Sequence, residues 1–145
     1  IALAPHSAET LPATALFGAF FDTTYAFRFG PPSHDVTVGQ IIDTDGTVAA
    51  EAFHFPLGRA EAFFSASLTA TLRQDTEGWL LDLSADRFAQ SVAIEIDGFR
   101  PSDNWFHLAP GNVKSIRLLP SAGTSPETTP HGTIRGIGAE AVISI

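Results

Sequence analysis

From Phe64 to Arg73 the chain alternates with a period of two, placing Phe64, Ala66, Leu68, Ala70 and Leu72 on one side and Ser65, Ser67, Thr69, Thr71 and Arg73 on the other. Only a β-strand gathers such a pattern on one face, because a 3.6-residue repeat would scatter the same apolar side chains around a helix. One dry and one wet face describes a strand of an antiparallel sheet. Phe63 is an apolar residue on the polar side, and the pattern predicts a loop or a neighbouring domain over it.

The same alternation recurs along the chain. Trp79, Leu81 and Leu83 oppose Leu80, Asp82 and Ser84, and Phe88, Gln90, Val92, Ile94 and Ile96 oppose Ala89, Ser91, Ala93, Glu95 and Asp97. Ile116 and Leu118 continue it, and a last strand is expected near residues 141–145 after a Ser/Thr/Pro/Gly-rich loop from Pro120 to Gly132. Earlier, Asp35 to Ile42 and Thr47 to Phe55 flank Asp43-Thr44-Asp45-Gly46, whose Asp-Gly step suits a hairpin turn. No segment carries a sustained helical period. Seven or eight short strands with turn signals every 8 to 12 residues predict an all-β, immunoglobulin-like antiparallel sandwich, with a closed barrel as the alternative.

The stretch from Gly98 to Gly111, GFRPSDNWFHLAPG, holds the densest chemistry. Pro101, Ser102, Asp103 and Asn104 are turn formers, Trp105 to Leu108 reads as an inner strand, and Pro110-Gly111 fits the two central positions of a type II turn. With no cysteine for an inter-sheet disulfide, the core must rest on packing. Trp79 and Trp105 are its expected large side chains, each worth about 3–5 kcal/mol if buried.

Residues 1–34 read differently. Ile1-Ala2-Leu3 looks like the end of a strand, and Leu16, Phe17, Phe20, Phe21, Tyr25, Phe27 and Phe29 are too apolar for a solvated linker. The expected division is a strand remnant of a preceding domain at 1–12, a connector at 13–34 and the sandwich at 35–145. Without an initiator Met, the chain reads as an internal or C-terminal piece of something larger. Self-association through the connector is expected once its neighbour is removed.

Sixteen acidic against eight basic residues give a net charge of -8, which disfavours nucleic acid because no basic stripe faces phosphates. No apolar run is long enough to span a bilayer, so no membrane partner is expected, and the composition leaves the compartment open. Glycoside cleavage needs two carboxyls about 5–9.5 Å apart, one in a setting that raises its pKa. No such pair stands out: Asp43, Asp45, Asp75 and Glu77 fall in turns, and Glu51, Asp82, Glu95 and Asp97 on polar faces. His34, His54 and His107 lie on separate elements without metal-ligand spacing, so neither metal nor cofactor is expected. Ser102, Asp103 and His107 read as turn chemistry rather than a triad, and Gly136 and Gly138 lack the setting of a phosphate loop. Tyr25, Phe63, Trp79 and Trp105 are candidates for stacking on sugar rings, which would make the domain a carbohydrate-binding module.

Four segments together resemble the C-terminal region of β-mannosidases, in the multi-domain glycoside hydrolase family that also contains β-galactosidases. They are DTTYAFRFGPPSHDV at 22–36, EAFHFP at 51–56, DRFAQSV at 86–92 and SDNWFHLAPG at 102–111. The resemblance spans about residues 13–120 and makes Asp103, Asn104, Trp105, Phe106, Pro110 and Gly111 a structural signature. It implies a non-catalytic immunoglobulin-like terminal domain of a retaining enzyme that removes terminal β-mannose. The catalytic glutamates of such an enzyme lie in a central barrel that nothing here resembles, so no catalytic residue carries over. Phe17, Phe20, Phe21, Tyr25 and Phe63 would then face other domains of the same parent.

Overall fold

The computed structural model describes residues 1–26, 30–62 and 64–145. Phe27, Phe29 and Phe63, with the roles expected of them, lie outside the described residues. The chain divides into two compact units, Ile1–Glu61 and Ala62–Ile145.

In the first unit, residues 1–12 form no strand, and a short helix α1 spans Ala13–Phe17. Sequence periodicity missed α1 because five residues are too few to show a period. Its bounds are local chemistry: extended Pro12 precedes it, and Gly18 ends it at φ 66°, the left-handed conformation that glycine adopts without a Cβ penalty. Strands β1 (Thr37–Ile42) and β2 (Val48–His54) form the expected antiparallel hairpin. Its turn places Gly46 at φ 89°, and the Thr47 N–H donates to both Asp43 Oδ1 and Asp45 Oδ1. That clustering holds the Asp45 carboxyl at about 2, chiefly through its hydrogen bond with Asp43.

The second unit holds eight strands among the described residues: β3 (Leu68–Asp75), β4 (Gly78–Ala85), β5 (Ala89–Ile96), β6 (Phe99–Pro101), β7 (Phe106–Leu108), β8 (Lys114–Pro120), β9 (Gly132–Ile137) and β10 (Ile143–Ser144). Hydrogen bonding runs in the order β10-β9-β5-β6-β8-β4-β3, with β7 also on β5, and every pairing of these strands is antiparallel. The link between β5 and β6 is one residue pair, Ile96 with Phe99, which forms the corner between two layers. Leu81, Leu83, Ile116 and Leu118 from one layer and Val92, Ile94, Ile96 and Ile134 from the other share one core. This is the immunoglobulin-like sandwich.

The outer face of β3, β4 and β8 is wet and ionic. Arg73 Nε lies 2.6 Å from Asp82 Oδ2, Ser115 Oγ donates to Asp82 Oδ1, and Arg117 reaches both Asp75 (2.7 Å) and Glu77 (3.2 Å). Leu80, expected to be exposed there, is buried. Its direct cross-strand partners are Arg73 and Arg117, whose aliphatic stems can cover it while their charges stay in water.

Strand β5 departs from its expected alternation. Ser91 adopts φ 50° and adds one residue relative to both flanking strands, since Gln90 to Ala93 spans Ile137 to Arg135 and Ala89 to Val92 spans Leu108 to Phe106. This bulge changes which side faces in. Val92, Ile94 and Ile96 point into the core as expected, but before the bulge it is Ala89 that does so, while Gln90 donates from Nε2 to the Ala62 carbonyl. The outer face of β5 is therefore dry at Gln90, Ser91 and Ala93 rather than wet.

Strand β9 was not anticipated because Gly132 and Gly136 weaken its pattern. Gly132 is required by close approach: a Cβ there would overlap the Glu95 carbonyl and stand 2.8 Å from Ile96 Cα. The expected final strand contracts to β10, paired with β9 through Ile143 and Ile134.

Candidate functional site

The segment between β6 and β7 is stitched into the sheet by its turn-forming side chains. Ser102 N–H donates to the Arg117 carbonyl and Ser102 Oγ accepts from Arg117 N–H, prolonging the β6–β8 ladder by one residue. Asp103 Oδ1 accepts from the Asn104 N–H at 2.8 Å, as an Asp in a turn commonly does. Asn104 then completes the edge of β5: the Ile94 N–H donates to Asn104 Oδ1 (2.9 Å), and Asn104 Nδ2 donates to the Ile94 carbonyl (2.9 Å). On that edge β7 pairs at Val92 and β6 pairs at Ile96, so the carboxamide fills the rung between two short strands.

The same Asn104 Oδ1 also accepts from the Trp105 N–H at 2.9 Å. Trp105 sits at φ 61°, outside β7, and is 62% exposed. The expectation of a buried, central Trp105 opening an inner strand is thus corrected. The left-handed turn at this residue swings the indole outward, and the strand begins at Phe106. Pro101, expected in the turn, is instead the last residue of β6 and pairs with Leu118. Pro110-Gly111 forms the predicted turn, with Gly111 at φ 80°. Phe106 is half-buried against the core, and Lys114 Nζ lies 4.7 Å from its ring centroid and 3.0 Å from Asp103 Oδ2.

Trp79 lies on the core side that the alternation gave it, but at the margin of the core and not at its centre. It is half-buried against the core, and its indole N–H donates to the Pro126 carbonyl at 3.1 Å. That contact leaves less of its ring for a sugar than Trp105 offers.

The histidines serve local structure, and two of them, His34 and His54, meet the same residue: His34 bonds Thr37, the cross-strand partner of His54. His107 Nδ1 accepts from the N–H of the bulge residue Ser91 at 3.0 Å, His34 bonds Ser33 and Thr37, and His54 Nε2 donates to the Thr24 carbonyl. No group of three metal-ligating side chains occurs among the described residues. Ser102, Asp103 and His107 are not brought together as a triad, since each engages a different partner.

Several of the carboxylates are likewise engaged. Asp75 is pulled down from 3.8 to about 2, first by hydrogen bonds from Arg117 and then by the Glu77 N–H, and Asp82 is lowered by Arg73 and Ser115. Glu95 pairs with Arg135 (2.6 Å), and Glu140 accepts from Ser65 and Ser67. Shifts of this sign suit permanently ionised structural partners, whereas a general acid needs a raised pKa.

In the first unit, Leu16, Phe17, Phe20, Phe21 and Tyr25 are exposed, Phe20 at 85%, and the Phe17 and Phe21 rings stand 5.4 Å apart. Lys114, which braces the β6–β7 segment, and Ser91, which resets β5, carried no sequence signal. No helix among the described residues is long and apolar enough to cross a membrane.

Comparison with known proteins agrees with this geometry. No curated protein matches the chain. Residues 64–137, from the approach to β3 to the end of β9, match an Ig-fold domain family of mannosidases. With half of its length in that match, the chain belongs to the mannosidase Ig-fold domain family.

Proposed function

We propose that this chain is a non-catalytic accessory domain of a retaining β-mannosidase, an enzyme that hydrolyses terminal β-D-mannose residues, and that it stabilises the parent by packing on neighbouring domains. The observation that carries this reading is the mannosidase Ig-fold match at residues 64–137, on a unit whose acids serve as ion-pair and turn partners. Phe17, Phe20, Phe21 and Tyr25 supply the apolar contacts to those domains. The test assays the isolated chain on p-nitrophenyl β-D-mannopyranoside. No turnover above buffer is expected, and clear hydrolysis would sink the reading. In the full-length parent, Phe17→Ser with Phe20→Ser should lower the melting temperature without changing the domain's own fold.

A further inference from the structure

Trp105 combines three properties, of which the turn and its bracing follow from the Asn104 rung and the exposure of the indole does not. It is 62% exposed, its backbone stands at φ 61°, and its turn is braced from both sides. A bulky aromatic in the left-handed region is a genuine outlier, whereas glycine would take the same turn freely. Strain of this kind persists only where the surroundings over-determine it, and here they do. Asn104 Oδ1 fixes the Trp105 N–H while bonding the Ile94 N–H, and Lys114 reaches Asp103 before Trp105 and Phe106 after it.

We propose that Trp105, with Asp103 and Lys114, forms a shallow binding surface for a neutral glycan chain of β-linked pyranose rings. A pyranose ring has an apolar C–H face and a rim of hydroxyls. The negative π-face of an indole attracts the first, and a carboxylate acceptor with an ammonium donor matches the second. The Asp103–Lys114 pair is half-exposed on its carboxylate side, so it can exchange water for hydroxyls without desolvating an isolated charge. Polyanionic ligands are disfavoured by the net charge of -8. The choice of β-linked sugars rests on the mannosidase reading; the site itself does not.

The test titrates the full chain with β-1,4-mannohexaose, cellohexaose and, as an α-linked control, maltohexaose, following the indole N–H resonances and the heat of binding. The expected result is a saturable shift of the Trp105 resonance with at least one β-linked glycan, leaving that of Trp79 in place, with a Kd of about 1 mM or tighter. Trp105→Ala and Trp105→Gly should each weaken binding by about tenfold or more with the circular dichroism spectrum retained, about 1.4 kcal/mol. Asp103→Asn and Lys114→Ala should weaken it by less, and Trp105→Phe should restore most of it. The proposal is overturned by the absence of a saturable Trp105 shift with all three glycans, or by binding that survives Trp105→Ala. It is also overturned if Trp105→Ala abolishes self-association of the chain while no glycan binds, which would make the residue a protein contact. Turnover of the aryl mannoside would refute the accessory reading and leave this titration interpretable.

Discussion

Replacing Asn104 with Ala isolates the contribution of one side chain to the sandwich. Ile94 is 2% exposed, and both of its main-chain groups on the β6/β7 side are satisfied by Asn104. Removing the carboxamide strands a buried N–H and a buried C=O in the middle of β5. Each unsatisfied group costs about 1–3 kcal/mol, and with Asn104 itself half-buried, water recovers part of that, leaving about 2–4 kcal/mol. In a domain of this size that lowers Tm by about 10–20 °C. Asn104→Asp should do no better, since it keeps an acceptor for the N–H but turns a second acceptor towards the Ile94 carbonyl. Urea unfolding measures the loss, and hydrogen exchange locates it: the Ile94 amide should lose protection relative to Ile134 on β9. An Asn104→Ala variant within about 0.5 kcal/mol of the parent, with the Ile94 amide still protected, would show that the rung is closed by something else.

Gly132→Ala should destabilise the second unit by about 1–3 kcal/mol or more in urea unfolding, because its Cβ meets the main chain of Glu95 and Ile96, which cannot rotate away. Trp105→Gly should leave stability unchanged or raise it by about 1 kcal/mol, since it relieves the left-handed strain at an exposed position; a large loss would mean that the indole is structural. The Asp75 carboxyl is depressed from 3.8 to about 2, so its pairing contributes fully above pH 3.8 and is lost as pH falls towards 2. Carboxyl chemical shifts should follow that titration, and Arg117→Ala should return the midpoint towards 3.8. Trp79→Phe, which removes the bond to the Pro126 carbonyl, should cost about 1 kcal/mol by thermal melting.

The wet and dry faces from Ser65 to Leu72 were legible because a strand with one solvated side writes its geometry directly into residue type. The hairpin around Gly46 was legible for a similar reason, its Asp-Gly step naming the turn. The bulge at Ser91 was not, since serine announces no positive φ and the apolar pattern after it happens to continue in phase. At Trp105, hydrophobicity argued for the core, and the turn formers before it were expected to end at Asn104. The turn prevailed because Asn104 had main-chain partners on β5 that only the folded sheet could supply. For the same reason sequence reading grouped Asp103 and Asn104 as turn formers without seeing the ladder that one of them completes or the Lys114 that the other meets.

The bulge gives β5 a change of phase partway along its length. Ahead of Ser91, odd-numbered positions serve the core; beyond it, even-numbered ones do. Losing or gaining a single residue there would leave either half internally regular but set the two halves out of step, so that Ala89 or the Val92, Ile94 and Ile96 series must turn away from the interior. Strand length at this point is consequently fixed far more tightly than side-chain identity, and His107, by holding the Ser91 N–H, marks where the count is kept.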